Sequence, residues 1–352
     1  MIRRSIGAAA AFLLAFTALG GSTAAPATPR PLSVVQLGDS IASGEGTLYG
    51  YTYDAATRRW VGGNLDAAWQ GPYPACHVSP DAYGTIVARA LRARFTTFAC
   101  TGASYTDGII GPEVSPGLLS TTTLRPAQFG DWANQRDLNP AYDAARPDLV
   151  LITLGADDLD FTHVVTDCVT NAVAHSINLE ALRCTATNPG PTITTDFTAN
   201  LPVLGPHYHA LIDAIQARGR AAHRIPKIVF TTYHDPLPLG SITCPDVALL
   251  DPTQVAYLRT LVPTLDTTIR TTITGLHAHG VAVADTSKAM LAANGTNHRW
   301  CSPQPWAYGF SIFTVTDPAS LTSQAPFHPT PDGQRRYAAL VTPVARTVLG
   351  VG

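Results

Sequence analysis

Charged residues are scarce in this sequence, and neither sign is concentrated anywhere. Only 14% of the 352 residues are charged, and 23 lysines and arginines nearly balance 25 aspartates and glutamates, for a formal net charge of −2. Proteins that bind nucleic acid neutralise phosphates with clustered basic residues, and no basic run exists here. We therefore expect no nucleic-acid partner.

Apolar segments long enough to cross a bilayer are absent after the N-terminal region. There, Arg3 and Arg4 precede an apolar segment over 6–19, and small residues follow over 22–27. These are the three parts of a secretory signal, whose apolar part is too short for a transmembrane helix. We predict a signal peptide over 1–27, cleavage between Ala24 and Thr28, and a soluble, secreted, monomeric protein.

No repeat or low-complexity linker divides residues 28–352, so we predict one domain of about 325 residues. Apolar runs predict five strands, over 33–37, 94–99, 149–154, 228–232 and 281–284. Helical spacing between and after them predicts helices over 81–93, 201–217, 255–276 and 332–349. This alternation predicts an α/β fold: a three-layer α/β/α, flavodoxin-like domain with a five-stranded parallel sheet.

The spacing Cys-x-x-Cys, common in zinc sites, is also absent, and we predict no metal and no cofactor. The sequence contains six cysteines, at Cys76, Cys100, Cys168, Cys184, Cys244 and Cys301. An even number in an exported chain predicts three disulfides. The residues alone leave the pairing open, with sequential pairing as the simplest choice.

Three long insertions, over 47–76, 168–198 and 287–325, interrupt the alternation. The first and third are aromatic, and the third carries Trp300, Trp306, Tyr308 and Phe310. Loops of this length are usually functional or disordered. Either these loops wall an apolar substrate cleft, or each packs over its own small aromatic cluster.

Ser40 is the candidate nucleophile. The first predicted strand stops at Gly38, and Asp39 and Ser40 follow at its carboxyl end, where parallel sheets bind their ligands. The alternative is an ordinary turn that closes a strand. A nucleophilic serine also requires a base and donors for the oxyanion.

His328 is the candidate base, in a turn stiffened by Pro326 and Pro329 just before the last helix. We expect Asp332 to cap that helix, and we interpret the other histidines as structural or solvated. Gly102 follows the second strand and Asp157 follows the third. Both are candidates for the oxyanion site, because the carboxyl ends of parallel strands lie at one edge of the sheet.

These residues, in this order, resemble the motif blocks of the SGNH, or GDSL-type, hydrolase family. Gly38-Asp39-Ser40 matches the nucleophile block, and Gly102 falls where the second block has its glycine. Gly155-Ala156-Asp157-Asp158 falls where the third block has Gly-x-Asn-Asp, and His328 falls in the last block. The six cysteines, the signal and the Ser-Gly-Glu-Gly after Ser40 resemble the secreted actinomycete lipases and esterases of the family.

The resemblance implies the flavodoxin-like fold and serine ester hydrolysis without a cofactor. It implies an oxyanion hole made of the Ser40 N–H, the Gly102 N–H and the Asp157 side chain. It also implies disulfides 76–100, 168–184 and 244–301.

Two positions depart from the family pattern. Ala325 stands where many members have the aspartate that orients the histidine. We therefore expect a Ser40–His328 dyad oriented by the backbone carbonyl of Ala325 or a neighbour; Asp317 is a conceivable substitute that nothing in the sequence places.

The second departure is Asp157, which stands where the family has asparagine, and an ionised aspartate cannot donate a hydrogen bond. The side chain is either protonated, or turned away to bond elsewhere, or the chain is a weak enzyme. We predict the protonated form.

Together these observations predict a secreted lipase or esterase acting through an acyl-enzyme intermediate. The aromatic insertions favour lipid or aryl esters. The alternatives are a carbohydrate acetyl esterase and a catalytically weak binding protein on the same fold; Asp157 and Ala325 favour the latter, and Ser40 and His328 oppose it.

Overall fold

The computed structural model describes residues 30–63, 68–115, 123–130, 139–161, 164, 168, 184–185, 193–239, 244, 252–309 and 326–352. The chain divides into two units, Met1–Arg30 and Pro31–Gly352, and all the elements named below belong to the second. The predicted signal peptide lies outside the described residues. None of the helices in this part of the chain is long and apolar enough to cross a membrane.

Nine strands and six α-helices are found among the described residues. The strands are β1 Ser33–Gly38, β2 Thr52–Asp54, β3 Arg59–Val61, β4 Arg94–Thr97, β5 Glu113–Ser115, β6 Thr123–Arg125, β7 Leu149–Thr153, β8 Lys227–Thr231 and β9 Val281–Ala284. The helices are α1 Ser40–Ser43, α2 Tyr83–Ala90, α3 Pro140–Ala145, α4 Leu204–Ala221, α5 Pro252–Gly275 and α6 Pro331–Leu349.

The central sheet has five parallel strands in the order β4-β1-β7-β8-β9. These are the five strands that the apolar runs predict, so the predicted α/β fold is confirmed. Strands β1 and β7 are buried along their whole length because helices cover both faces of the sheet. Helices α2 and α6 pack together on one face, and α3, α4 and α5 lie on the other.

Two short antiparallel hairpins, β2–β3 and β5–β6, lie outside this sheet. The first forms part of the 47–76 insertion. Each of their strands has three residues, too few for an alternating pattern to be recognised in the sequence.

Three disulfides join Cys76 to Cys100, Cys168 to Cys184, and Cys244 to Cys301, which is the sequential pairing. The Cys76–Cys100 bridge lies closest in sequence to the predicted site, because Cys100 precedes Gly102 by two residues.

The predicted cap of the last helix is wrong. Thr330, not Asp332, caps α6: its side chain accepts the Gly333 N–H at 3.3 Å. Pro331 takes the first helical position, which suits a residue without an N–H, and this makes the preceding residue the cap. Asp332 lies in the first turn and pairs with Arg335.

Candidate active site

At the nucleophile turn, the backbone at the end of β1 lies very close to the backbone of β7. Gly38 ends β1 with φ +132°, and a Cβ there would lie 2.1 Å from the Thr153 carbonyl oxygen of β7, so only glycine fits. The Asp39 N–H then donates to that same oxygen at 3.1 Å. Asp39 caps α1 by accepting the Ile41 N–H at 3.0 Å, and Ser40 is therefore the first residue of a short helix at the carboxyl end of β1.

Side-chain amides hold this turn from two directions. Gln128 Oε1 accepts the Gly38 N–H at 2.8 Å, and its Nε2 donates to the Gly38 carbonyl at 2.9 Å. Gln334 of α6 donates to the Ile41 carbonyl at 3.1 Å. Because these groups are buried, their pairing restricts the position of Ser40.

Ser40 and His328, 288 positions apart, meet at hydrogen-bond distance. His328 Nε2 lies 2.7 Å from Ser40 Oγ, and His328 Nδ1 lies 3.0 Å from the Pro326 carbonyl oxygen. A carbonyl only accepts, so Nδ1 carries the proton and Nε2 accepts from the serine hydroxyl. Pro326 is a neighbour of Ala325, which, like Asp317, lies outside the described residues.

The turn that carries His328 has an uncommon backbone conformation. Phe327 has φ +68°, a region that a bulky residue rarely adopts. His234 Nε2 lies 2.8 Å from the Phe327 carbonyl, and His234 Nδ1 lies 2.8 Å from the Tyr337 hydroxyl. Burial lowers the pKa of His234 to about 3, so this imidazole is neutral, with Nε2 as the donor. The Phe327 N–H also donates to the Tyr308 carbonyl at 3.0 Å.

Gly102 lies in the loop after β4, with φ +84°. The Cys76–Cys100 disulfide and the Thr101 N–H, which donates to the Cys76 carbonyl at 3.2 Å, hold its loop. Within the described part of the chain, neither the Gly102 N–H nor the Ser40 N–H donates to another residue. Both donors are thus available to a ligand.

Asp157 begins a short 3₁₀ helix, Asp157–Leu159, after β7. Its side chain is half-buried and accepts no hydrogen bond from any described residue. Burial raises the pKa of Asp157 well above its ordinary value, and the charges of neighbouring carboxylates add to this. Those carboxylates belong to Asp39, Asp158, Glu113 and Asp160.

Asp158, the next residue, has hydrogen-bond partners for its carboxylate. Its carboxylate accepts the Tyr105 N–H at 3.1 and 3.2 Å and lies 3.0 Å from His207 Nδ1. The His207 ring stacks on Tyr105 with 4.3 Å between ring centroids. Asp158 therefore joins the loop after β4 to the loop after β7, and His207 has the structural role expected for it.

Glu45, from the Ser-Gly-Glu-Gly that follows the nucleophile, forms a buried pair with His77. Its Oε2 lies 2.5 Å from His77 Nδ1. Burial would raise the pKa of Glu45, but the hydrogen bond and charge of His77, together with the charge of His328, lower it below its ordinary value. Glu45 is thus a buried negative charge that interacts with the candidate base.

The first and third insertions share one aromatic cluster beside His328. Its buried members are Tyr49, Trp60 and Tyr308, and its partly buried members are Tyr51, Tyr53 and Trp69. The Tyr308 N–H donates to the His328 carbonyl at 2.9 Å. The two insertions therefore pack together, not each over a cluster of its own. Phe310 and most of the 168–198 insertion lie outside the described residues.

Among the polar residues of the site that the sequence analysis did not single out are Gln128, Gln334, Tyr233 and His234. Tyr233 and His234 follow the predicted fourth strand closely, so the positional rule that selected Gly102 and Asp157 would also have found them. No sequence signal indicates Gln128. Among the described residues, no three His, Cys, Asp or Glu side chains form a group suited to a metal ion.

A model of the GDSL-like lipase/acylhydrolase family matches residues 37–336. No curated protein matches the chain. Among solved structures, an extracellular lipase from Streptomyces rimosus is 21% identical with a TM-score of 0.52, over 90% of this chain and 99% of that one. A phospholipase A1 from Streptomyces albidoflavus NA297 is 20% identical with a TM-score of 0.52, over the same shares. At these identities the likeness to solved structures concerns the fold.

Proposed function

The chain belongs to the GDSL-like lipase/acylhydrolase family, and from this premise we propose that it is a serine ester hydrolase acting through an acyl-enzyme intermediate. One observation carries the proposal: Ser40 Oγ lies 2.7 Å from His328 Nε2, on an imidazole oriented by the Pro326 carbonyl. A serine hydroxyl bonded to an oriented base is an activated nucleophile.

The proposed reaction has two stages, acylation of Ser40 and hydrolysis of the acyl-serine. Ser40 Oγ attacks the ester carbonyl carbon while His328 Nε2 takes the hydroxyl proton, and the imidazolium then protonates the leaving alcohol. Water repeats these steps on the acyl-serine and releases the carboxylic acid. The Ser40 and Gly102 N–H groups hold the negative oxygen of each tetrahedral intermediate.

Ala325 stands where many family members have the aspartate that orients the histidine. The Pro326 carbonyl, which accepts from His328 Nδ1, supplies less electrostatic help to the imidazolium than a carboxylate would. The buried charge of Glu45, which interacts with the charge of His328, is placed to supply part of that help.

Asp157 completes the oxyanion hole in its protonated form. An ionised carboxylate about 4 Å from an oxyanion would add about 4 kcal/mol of repulsion at an effective dielectric near 20, roughly a thousandfold in rate. Its raised pKa and its lack of hydrogen-bond donors among the described residues both support a neutral carboxyl. A neutral carboxyl donates, as the asparagine of the family does.

The substrates we propose are lipid or aryl esters in the extracellular space. The aromatic cluster beside His328 offers apolar surface to an acyl or aryl group. Three disulfides and the N-terminal signal pattern support export.

The test is hydrolysis of p-nitrophenyl esters, from acetate to palmitate, by the mature protein and by Ser40→Ala. We expect turnover that Ser40→Ala abolishes, with an optimum beyond acetate. An optimum at acetate alone would favour a carbohydrate acetyl esterase. No turnover at any chain length or pH, in protein shown to be folded by circular dichroism, would overturn the proposal in favour of a binding protein.

A further inference from the structure

Tyr233 lies between the nucleophile turn and the turn that carries Asp157. Its hydroxyl donates to the Asp39 carboxylate and accepts the Ala156 N–H at 3.1 Å. Its own N–H donates to Asp266 Oδ1 at 2.8 Å. A phenol has a single proton to donate, and since Ala156 supplies a donor, that proton belongs to the bond with Asp39.

The carboxyl groups of Asp39 and Asp157, whose charges interact, differ in the number of hydrogen-bond donors that they meet. Asp39 accepts the Tyr233 hydroxyl on Oδ2 and the Ile41 N–H on Oδ1. Asp157 accepts nothing from the described residues. Hydrogen bonds from donors stabilise the ionised form of a carboxyl group, so, of two carboxyl groups whose charges interact, the one that lacks donors is the one that keeps its proton.

We propose that Tyr233 is a positioning residue that assigns this proton: its hydroxyl keeps Asp39 ionised, which leaves Asp157 protonated as an oxyanion donor. Through the Ala156 N–H the same hydroxyl also fixes the turn on which Asp157 lies. This role rests on the proposed function, in which a protonated Asp157 donates to the oxyanion, and Tyr233 is the residue that keeps Asp157 protonated.

Both carboxyl groups lie among other titratable groups. Burial raises the pKa of Asp39 to about 7, and the Tyr233 and Ile41 hydrogen bonds oppose that rise. Burial and the charge of Asp39 raise the pKa of Asp157 well above its ordinary value. Burial also raises the pKa of Tyr233, so the hydroxyl keeps its proton. The other titratable groups that interact with these three are Asp158, Asp160, Glu113, Asp266, Tyr83, Tyr208 and Tyr337.

The pH dependence of kcat/KM toward a short-chain p-nitrophenyl ester tests the assignment. In Tyr233→Phe the proton can settle on Asp39, and Asp157 then ionises at the first deprotonation of the pair. We expect the alkaline limb to move to lower pH by about one unit. A purely structural role would lower activity equally at every pH and leave the limb in place.

Asp39→Asn provides a second, independent variant. It removes the charge that opposes ionisation of Asp157, so the limb again moves to lower pH, and Tyr233→Phe adds no further shift in that background. Tyr142→Phe is the matched control: this tyrosine is also buried but lies on α3, before the amino end of β7, and we expect an unchanged profile.

An alkaline limb that neither Tyr233→Phe nor Asp39→Asn moves would overturn the assignment. The same holds if Tyr233→Phe moves a limb in an Asp157→Asn background, because position 157 cannot ionise there. Activity that survives Ser40→Ala, or none in the wild type, would instead refute the proposed function.

Discussion

The nucleophile side and the oxyanion side of the candidate active site are built from different kinds of interaction. On the nucleophile side, hydrogen bonds join Ser40 to His328 and His328 to the Pro326 carbonyl, and neutral His234 supports the turn behind them. On the oxyanion side, two backbone N–H groups face no described acceptor, and Asp157 is crowded by carboxylates.

The difference shows where this site depends on pH. The Pro326 carbonyl keeps its polarity at every pH, so this contact of His328 does not titrate. The oxyanion role proposed for Asp157 requires a proton on its carboxyl group. We therefore expect the two sides to respond differently to pH.

The largest effect is expected from His328→Asn, which leaves Ser40 without a base. We expect kcat for ester hydrolysis to fall by about 10⁴–10⁶. His223→Asn is the matched control, because His223 is exposed at the end of α4, before β8. If His328→Asn lowered kcat no more than the substitutions at Asp157 do, His328 would not be the catalytic base.

A smaller effect is expected at Asp157. Asp157→Ala removes the donor and should lower kcat by about 10²–10³ at neutral pH. Asp157→Asn donates at every pH, so it should stay near wild type at neutral pH and lose the alkaline limb of the kcat/KM profile. Asp213→Asn, at an exposed aspartate of α4, controls for the change of charge. An alkaline limb that persists in Asp157→Asn would show that the carboxyl does not govern it.

The smallest effect is expected from His234→Phe, which removes the donor to the Phe327 carbonyl. Loss of this hydrogen bond costs about 1–2 kcal/mol, which corresponds to roughly 5- to 30-fold in kcat if the His328 turn shifts in the transition state. KM should change little. His234→Gln retains an N–H donor and should recover most of the loss; equal kcat values for the two variants would exclude this hydrogen bond as the cause.

The sheet was predictable because its signals are local. All five strands lie within two residues of their predicted bounds, since a buried parallel strand requires a continuous apolar run. Ser40 and His328 were predictable because their turns carry distinctive residues next to predicted elements. The two hairpins were not predicted, because a strand of three residues is too short to show an alternation of apolar and polar residues.

By itself, the sequence determined the strands, the order of the motif blocks and the chemical types of the candidate nucleophile and base, because these depend on residue identity and spacing. Only the tertiary structure decided which partner each buried polar group has. Tyr233 meets Asp39 across 194 positions, and His234 meets the Phe327 carbonyl across 93. Such pairs form when packing brings distant groups together and excludes water, and no local sequence pattern specifies them.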